Sequence, residues 1–108
     1  MDINKLNMMI DEFVNEREWE KFHSPKNLSM ALSVEASELL EIFQWQNEDD
    51  YLENNETIAK AKDEIADIFY YLLRISKKLN IDIENSFIDK MEKNKKKYPS
   101  STYKGNYK

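Results

Sequence analysis

The sequence predicts an all-α protein: an antiparallel bundle of four main helices, completed by oligomerisation. Glycine and proline, which strand-and-turn folds use at their corners, are scarce, with one Gly and two Pro in 108 residues. Four stretches repeat apolar residues at intervals of three and four, which is the period of an amphipathic helix, and none alternates as a half-buried strand does. With 41% hydrophobic residues, the chain has enough apolar material for one folded domain.

The first two helices follow this periodicity from the N-terminal end. The first is predicted over about residues 3–19, where apolar side chains step by three and four. The loop KFHSPKN follows it, because Pro25 disfavours helical geometry in the residue before it. The second helix is predicted from about Leu28 to Trp45, and the polar segment NEDDYLENNE separates it from the third.

The third helix has the strongest pattern, and a fourth follows it after a short break. The apolar stripe of the third helix consists of Ile58, Ala61, Ile65, Ile68, Leu72, Ile75 and Leu79. Asn80 is a suitable C-terminal stop, and Asp82 is a suitable N-cap for a helix over about residues 83–98. We therefore expect residues 1–98 to form one all-α domain and residues 99–108 to form a basic, flexible tail.

Composition argues against several kinds of site and partner. The chain has no cysteine, which excludes disulfides, thiolate metal ligands and a cysteine nucleophile. A net charge of −5 argues against a nucleic-acid backbone as partner. No stretch reaches the length of a membrane span, and the N-terminal segment lacks the apolar core of a signal peptide. We expect no nucleic-acid partner, no membrane partner and a cytoplasmic location.

A carboxylate occupies the centre of the apolar face of the second helix. At about 100° per residue, five apolar side chains lie between roughly −40° and +60° of Glu35. They are Leu28, Ala31, Leu32, Leu39 and Ile42. Glu38 lies on the edge of this arc. An unpaired carboxylate in a core costs several kcal/mol or takes up a proton, so a positive partner is expected. One alternative is a buried ion pair with Arg17 or Arg74.

Glu64 and Asp67 repeat on the third helix the i, i+3 spacing that Glu35 and Glu38 have on the second. Two such pairs, facing each other across a bundle, form a cage of four carboxylates. Acidic pairs at this spacing are common on solvated helix faces, and the chain has 21 acidic residues. The prediction of a cage therefore depends mainly on Glu35.

An all-carboxylate cage favours a hard divalent cation. Mg²⁺, with Mn²⁺ as a substitute, suits oxygen-only sites, keeps some of its waters and shares its coordination with substrate phosphates. Zinc prefers nitrogen or sulfur ligands. The only histidine, His23, lies in a predicted loop and cannot complete the Glu-x-x-His pairs of di-iron bundles. The sequence thus indicates a magnesium site that handles a phosphate-bearing substrate.

Three segments of the chain carry a resemblance to a known family: EREWEKFHSPKNLSMALSVEASELLEIFQW, DEIADIFYYL and KMEKNKKKYP. In this order they are similar to the MazG-type nucleotide pyrophosphohydrolases, in particular the compact single-domain group that includes the dCTP pyrophosphatases. The resemblance covers about residues 10–99. The family signature Glu-x-x-Glu and Glu-x-x-Asp matches Glu35 and Glu38 and, after 25 intervening residues, Glu64 and Asp67.

The resemblance implies an all-α catalytic domain that hydrolyses a nucleoside triphosphate to the monophosphate and pyrophosphate. It assigns the four acids as catalytic Mg²⁺ ligands and makes Glu38 a candidate for orienting or deprotonating the attacking water. The expected substrate is a (deoxy)nucleoside triphosphate, such as dCTP or a modified pyrimidine analogue, in a role of clearing the nucleotide pool. Related enzymes of this fold act on dUTP or phosphoribosyl-ATP, and those substrates remain alternatives.

The resemblance also implies residues that bind the base. Trp19 and Trp45 correspond to aromatic residues that enclose it, and Asn94 corresponds to a polar group near it. Ordinary core or interface packing is the alternative for each tryptophan. Where the dCTP-specific members carry a histidine, this chain has Ile10, which weakens the expectation of strict cytosine specificity.

Other matching positions lie near the metal and the phosphates. Tyr71 corresponds to a tyrosine beside the metal site. Lys90 and Lys97 correspond to basic residues close to the phosphates. A lysine-rich helix end is also a common solvated feature that complements the helix dipole, so that alternative stays open for both lysines.

Assembly into a homodimer or homotetramer is expected from composition and from the resemblance. The run IFYYLL at residues 68–73 is apolar around the whole helix, so one face needs a partner chain or stays exposed. The resemblance implies sites built between subunits. A competing interpretation is a non-enzymatic helical interaction protein whose acids serve ion pairs.

Overall fold

The structure, a computed structural model, describes residues 1–47 and 53–106 and confirms an all-α fold with four main helices. The helices are α1 Ile3–Glu16, α2 Pro25–Phe43, α3 Asn55–Lys78, α4 Ile83–Lys97 and α5 Ser100–Tyr103, with a 3₁₀ turn at Glu20–Phe22. Residues 48–52, within the polar segment between α2 and α3, lie outside the described residues. In the part of the chain that the structure describes, no helix combines the length and apolar character that a membrane crossing requires.

Side-chain caps set the starts of the helices. The helix α2 begins three residues before the predicted Leu28, because proline is well suited to the first helical position and Pro25 occupies it. Ser24 precedes it as N-cap, and its hydroxyl accepts a hydrogen bond from the Asn27 N–H at 3.1 Å. The predicted N-cap Asp82 is confirmed, since its carboxylate accepts from the Asn85 N–H at 3.1 Å.

Left-handed residues end α1 and α3. The helix α1 stops at Glu16 instead of near Trp19, because Glu18 takes a φ of 55° and the Trp19 N–H turns back to the Val14 carbonyl at 3.1 Å. The sequence does not predict this ending, because the left-handed position is occupied by Glu18 and not by the glycine that usually marks the end of a helix. Asn80, with the same φ of 55°, ends α3 as predicted. The helix α5 lies within the segment expected to form the tail.

The helices α2 and α3 pack as antiparallel neighbours, and α1 packs against α3. At one end of the α2–α3 pair, the Gln46 side chain donates to the Thr57 hydroxyl at 3.1 Å. At the other end, the Arg74 Nε–H donates to His23 Nδ1, also at 3.1 Å. The helix α1 lies across the C-terminal half of α3, and Ile10, Val14 and Leu73 are the buried residues of this contact. Helix α3 therefore contacts both α1 and α2, and it joins these two segments of the chain.

Large apolar surfaces remain uncovered in the single chain. The radius of gyration is 17.2 Å, against about 13 Å expected for a compact domain of this length. Met30, Val34 and Leu40 on α2 are more than half exposed. So is Ile65, which the periodicity assigns to the apolar stripe of α3. The stripe is wider than the face that α2 covers, and residues 1–47 and 53–106 leave Ile65 uncovered.

Candidate metal site

Three carboxylates converge where α2 crosses α3. One oxygen from each of Glu35, Glu64 and Asp67 lies within 4.8 Å of the other two. Glu35 and Glu64 are half-buried, and Asp67 is exposed. Helix α2 contributes the first, and one turn of α3 contributes the other two, so the i, i+3 spacing on α3 directs both acids toward Glu35. We call these three residues the acidic cluster.

The fourth predicted acid lies beside the cluster. Glu38, one turn after Glu35, is exposed and interacts with the carboxyls of both Glu35 and Glu64. It is not one of the three residues whose oxygens converge. The structure thus brings all four predicted acids to the same region, with Glu38 on its solvent side.

The cluster has no cationic side chain within it. Glu35 Oε2 and Glu64 Oε2 are buried and, among the described residues, have no hydrogen-bond partner. Arg17 instead donates to the Phe13 carbonyl at 3.1 Å and lies 4.0 Å from the centre of the Phe13 ring. Arg74 is held by the opposite end of the α2–α3 pair. The alternative of a buried ion pair between Glu35 and either arginine is therefore wrong.

Proximity of the acids alters their protonation. A hydrogen bond with Glu64, followed by burial and by the hydrogen bond and negative charge of Glu38, raises the pKa of Glu35 to about 7. The same Glu35 hydrogen bond lowers the pKa of Glu64, but burial and the interactions with Glu38 and Asp67 raise that pKa overall. Without a cation, Glu35 therefore titrates close to neutral pH and not in the ordinary range of a carboxyl.

The residues present fit a hard divalent cation. Every donor is a carboxylate oxygen, and Glu35 Oε2 and Glu64 Oε2 are buried and lack a hydrogen-bond partner among the described residues. A divalent cation suits this site, because it would bind the unpartnered carboxylate oxygens and would replace the proton between Glu35 and Glu64. His23 does not compete for this role, since its Nδ1 accepts from Arg74. Glu35, Glu64 and Asp67, with Glu38 beside them, are the residues that would hold Mg²⁺ or Mn²⁺.

A polar cleft of about 600 Å³ opens next to the cluster. Its lining residues are Glu38, Glu41, Ile42, Gln46, Asn54, Glu56, Thr57, Lys60 and Glu64. Glu38 and Glu64 thus face both the cluster and the cleft. Trp45, which precedes the lining residue Gln46, is 89% exposed and has room to contact a ligand.

A row of aromatic rings joins the cluster to Trp19. Burial, followed by the negative charges of Glu35 and Asp67, raises the pKa of Tyr71, which lies beside the cluster as expected. The ring centroids of Tyr71 and Tyr70 are 4.9 Å apart, and those of Tyr70 and Phe13 are 6.2 Å apart. Trp19 completes the row with its ring centroid 5.5 Å from that of Phe13.

Sequence reasoning missed Phe13 and Tyr70 in this row. The apolar periodicity that includes Phe13 indicates only a packed position. Tyr70 stands within the all-apolar IFYYLL run. Their edge-to-face contact joins α1 to α3, and only the tertiary structure shows it.

The predicted ligand residues of α4 lie apart from the cluster within the chain. Lys90 is exposed, Asn94 is half-buried, and the Lys97 ammonium lies 5.3 Å from the centre of the Tyr98 ring. Within residues 1–47 and 53–106, no hydrogen bond or ion pair joins these three side chains to the acids. The helix α4 has no buried residue.

Comparisons with known proteins agree with this geometry. The MazG-like family matches residues 30–108, and the chain belongs to that family. The dCTP pyrophosphatase 1 of Rattus norvegicus is 34% identical over 107 residues, which covers 96% of this chain and 61% of the relative. The human protein of the same name is 33% identical over 102 residues, covering 92% of this chain and 58% of the relative. The chain thus spans about three fifths of the length of the curated relatives it matches.

A solved structure shares the fold over nearly its whole length. The crystal structure of a pyrophosphatase from Archaeoglobus fulgidus superposes on this chain with a TM-score of 0.84. The two sequences are 40% identical, and the match covers 92% of this chain and 94% of that one. The arrangement of helices that forms the cluster therefore also occurs in an experimentally solved member of a pyrophosphatase fold.

The protonation of Glu35 predicts a pH dependence of stability. Its pKa of about 7 exceeds the ordinary value of 4.5, so the folded chain holds a proton that the unfolded chain releases between these values. This stabilisation is fully present below the unfolded pKa and is lost as the pH rises through about 7. In metal-free buffer, the free energy of unfolding of the parent should therefore fall between pH 5 and pH 8, relative to that of Glu35→Gln.

Urea denaturation with a chelator present measures both proteins. The comparison is needed because burial and Arg74 lower the pKa of His23, which makes stability rise with pH in a neighbouring range. Both proteins keep His23, so its contribution cancels. A difference between parent and variant that stays constant from pH 5 to pH 8 would contradict the shared proton.

Proposed function

We propose that this chain is a Mg²⁺-dependent nucleoside triphosphate pyrophosphohydrolase. It hydrolyses a (deoxy)nucleoside triphosphate, a pyrimidine such as dCTP or a modified analogue, to the monophosphate and pyrophosphate. The observation that carries the proposal is the convergence of Glu35, Glu64 and Asp67, with two buried oxygens that lack a partner. The names of the relatives, dCTP pyrophosphatase 1 and a pyrophosphatase, support the same reaction. Mn²⁺ is expected to substitute for Mg²⁺ because it takes similar oxygen ligands.

The acidic side chains have two roles in the reaction, cation binding and activation of the attacking water. Glu35, Glu64 and Asp67 hold the cation, with Glu38 beside them. When bound, the cation lowers the pKa of water and neutralises charge on the phosphates. Glu38 is exposed and lines the cleft, so it is the acid placed to orient the attacking water and accept its proton. A bond forms between that water oxygen and the α-phosphorus, and the bond from the α-phosphorus to the bridging oxygen of pyrophosphate breaks.

Base recognition falls to the aromatic residues on either side of the cluster. Trp19 ends the aromatic row that begins at Tyr71, and Trp45 stands exposed near the polar cleft. Two such rings can enclose a base through their faces, which tolerates different bases. Ile10, at the position of the histidine in dCTP-specific members, is buried with Val14 in the core. We therefore propose that the enzyme accepts pyrimidines beyond cytosine, and that it removes unwanted nucleotides from the pool.

The proposal assigns the α4 residues to a site shared between subunits. Lys90 and Lys97 would contact phosphates, and Asn94 the base, in the site of a neighbouring chain. Two observations support this: α4 has no buried residue, and no described contact joins these three side chains to the cluster of their own chain. A homodimer or homotetramer would supply the missing packing. The cytoplasmic location predicted from the sequence stays a prediction.

Isotope labelling during hydrolysis tests the reaction itself. In ¹⁸O-labelled water with Mg²⁺, a panel of dCTP, modified dCTP, dUTP and phosphoribosyl-ATP should include a substrate that yields pyrophosphate. The label should appear in the monophosphate product, because water attacks the α-phosphorus. Glu38→Gln should keep the fold and lower kcat by about 10²–10⁴-fold, the usual contribution of a general base.

Asp63→Asn is the matched control, because Asp63 is an exposed acid beside Glu64 that does not belong to the cluster. It should keep parental activity. Label found in pyrophosphate, or turnover that is independent of Mg²⁺ and of Glu38, would contradict the proposed reaction.

Light scattering tests the assembly. The exposed apolar residues Met30, Val34 and Leu40 lie on the side of α2 away from α3, and burying them requires a second chain. The parent should have the mass of a dimer or tetramer at micromolar concentration, and Val34→Glu should shift it toward the monomer. Met9→Glu, an equivalent change at an exposed residue of α1, is the control and should keep the parental mass. A monomeric parent would refute the shared site.

A further inference from the structure

Arg74 is a buried cation that joins three elements of the chain. Its side chain is only 5% exposed, although it lies on α3. Its Nη1 donates to Asp11 of α1 at 2.9 Å, and its Nη2 donates to Glu20 of the 3₁₀ turn. Its Nε–H donates to His23 Nδ1 at 3.1 Å, just before α2 begins. Each nitrogen of the guanidinium group therefore donates to a different residue of the chain.

Lysines from the next turn of α3 complete the network. Lys77 pairs with Asp11, and Lys78 pairs with Glu20, so each carboxylate is shared between two cations. His23 contributes a neutral acceptor, because burial and the neighbouring Arg74 lower the pKa of its imidazole. The network thus fixes both ends of the segment from Glu20 to His23 against α3.

This segment begins directly after Trp19. Three other contacts hold the tryptophan: its N–H donates to the Val14 carbonyl at 3.1 Å, its carbonyl accepts from the Phe22 N–H at 2.9 Å, and its ring meets Phe13. These contacts come from α1 and from the 3₁₀ turn itself, and none of them restrains the turn against α3. The bond from Arg74 to Glu20, one residue further on, supplies that restraint from α3, the helix that carries Glu64 and Asp67.

We propose that Arg74 is a positioning residue for base recognition, which holds Trp19 at a fixed distance from the acidic cluster through Glu20 and His23. The proposal rests on the proposed function, in which Trp19 contacts the base. An arginine is required because its planar fork presents Nε, Nη1 and Nη2 to three separate partners in a fixed geometry, whereas a lysine carries all of its donors on one compact ammonium nitrogen. Arg74→Lys keeps the charge and removes the fork.

A double-mutant cycle of Arg74→Lys with Trp19→Ala tests the proposal by steady-state hydrolysis. Arg74→Lys should raise KM for the nucleotide by about tenfold and change kcat by less than about twofold, because ground-state binding of the base is lost. In the Trp19→Ala background, the same substitution should raise KM by less than about twofold, because the ring that it positions is absent. Lys62→Arg, at an exposed position of α3, is the control and should keep the parental KM.

A ligand without a base separates positioning from general damage. Inorganic tripolyphosphate with Mg²⁺ should inhibit the parent and Arg74→Lys equally, since it makes no contact with Trp19. Equal KM increases with and without Trp19, a parallel loss of tripolyphosphate binding, or an unchanged KM would each overturn the proposal. If Arg74→Lys does not fold, Glu20→Ala removes the acceptor of Arg74 Nη2 and should give the same pattern with a smaller KM change.

A fluorescence measurement keeps the proposal separate from the proposed function. The chain has two tryptophans, so Trp45→Phe leaves Trp19 as the only indole. Acrylamide should quench Trp19 more strongly when Arg74→Lys is added, whether or not any nucleotide is hydrolysed. Absence of hydrolysis in the parent would refute the proposed function, whereas unchanged quenching would refute the positioning role of Arg74.

Discussion

The meeting of Glu35 and Glu64 between α2 and α3 is the constraint on which the rest of the structure depends. These two helices pack against each other along their length, and their contact includes two half-buried carboxyls, each with a buried oxygen that lacks a hydrogen-bond partner among the described residues. Two neighbouring carboxylates cannot both be charged there without compensation, so the pair holds either a proton or a cation. A core formed only for stability would place apolar side chains at these positions.

The two ends of the α2–α3 pair differ in whether the chain supplies a partner for buried charge. At the His23 end, Arg74 is surrounded by Asp11 and Glu20, and the chain itself supplies both signs of charge. At the cluster, the described residues supply only negative charge. Buried charge is therefore compensated within the chain at the first end, whereas at the second the described residues leave the carboxyls to a proton or a cation. Met30, Val34 and Leu40 on α2 are exposed, and α4 has no buried residue.

Much of this arrangement could be predicted from the sequence because it depends on local spacing. Glu35 was predictable because it interrupts an apolar arc, and Asn80 was predictable because it tolerates left-handed geometry. The early end of α1 was not, since Glu18 adopts that geometry without being glycine or asparagine. Ile65 belongs to the predicted apolar stripe of α3, yet it is more than half exposed. Periodicity shows which face of a helix is apolar, but it does not show whether the same chain covers that face. The aromatic row and the Arg74 network join distant segments, and no sequence spacing indicates them.

Anomalous scattering from Mn²⁺ tests the central claim most directly. Crystals grown with Mn²⁺ at neutral pH, with data collected at the manganese edge, locate the ion without reference to activity. An anomalous peak is expected at the carboxylates of Glu35, Glu64 and Asp67 in the parent, and a much weaker peak is expected in Glu64→Gln. A fully occupied ion elsewhere, with the Glu35 and Glu64 carboxyls still hydrogen-bonded to each other, would contradict it.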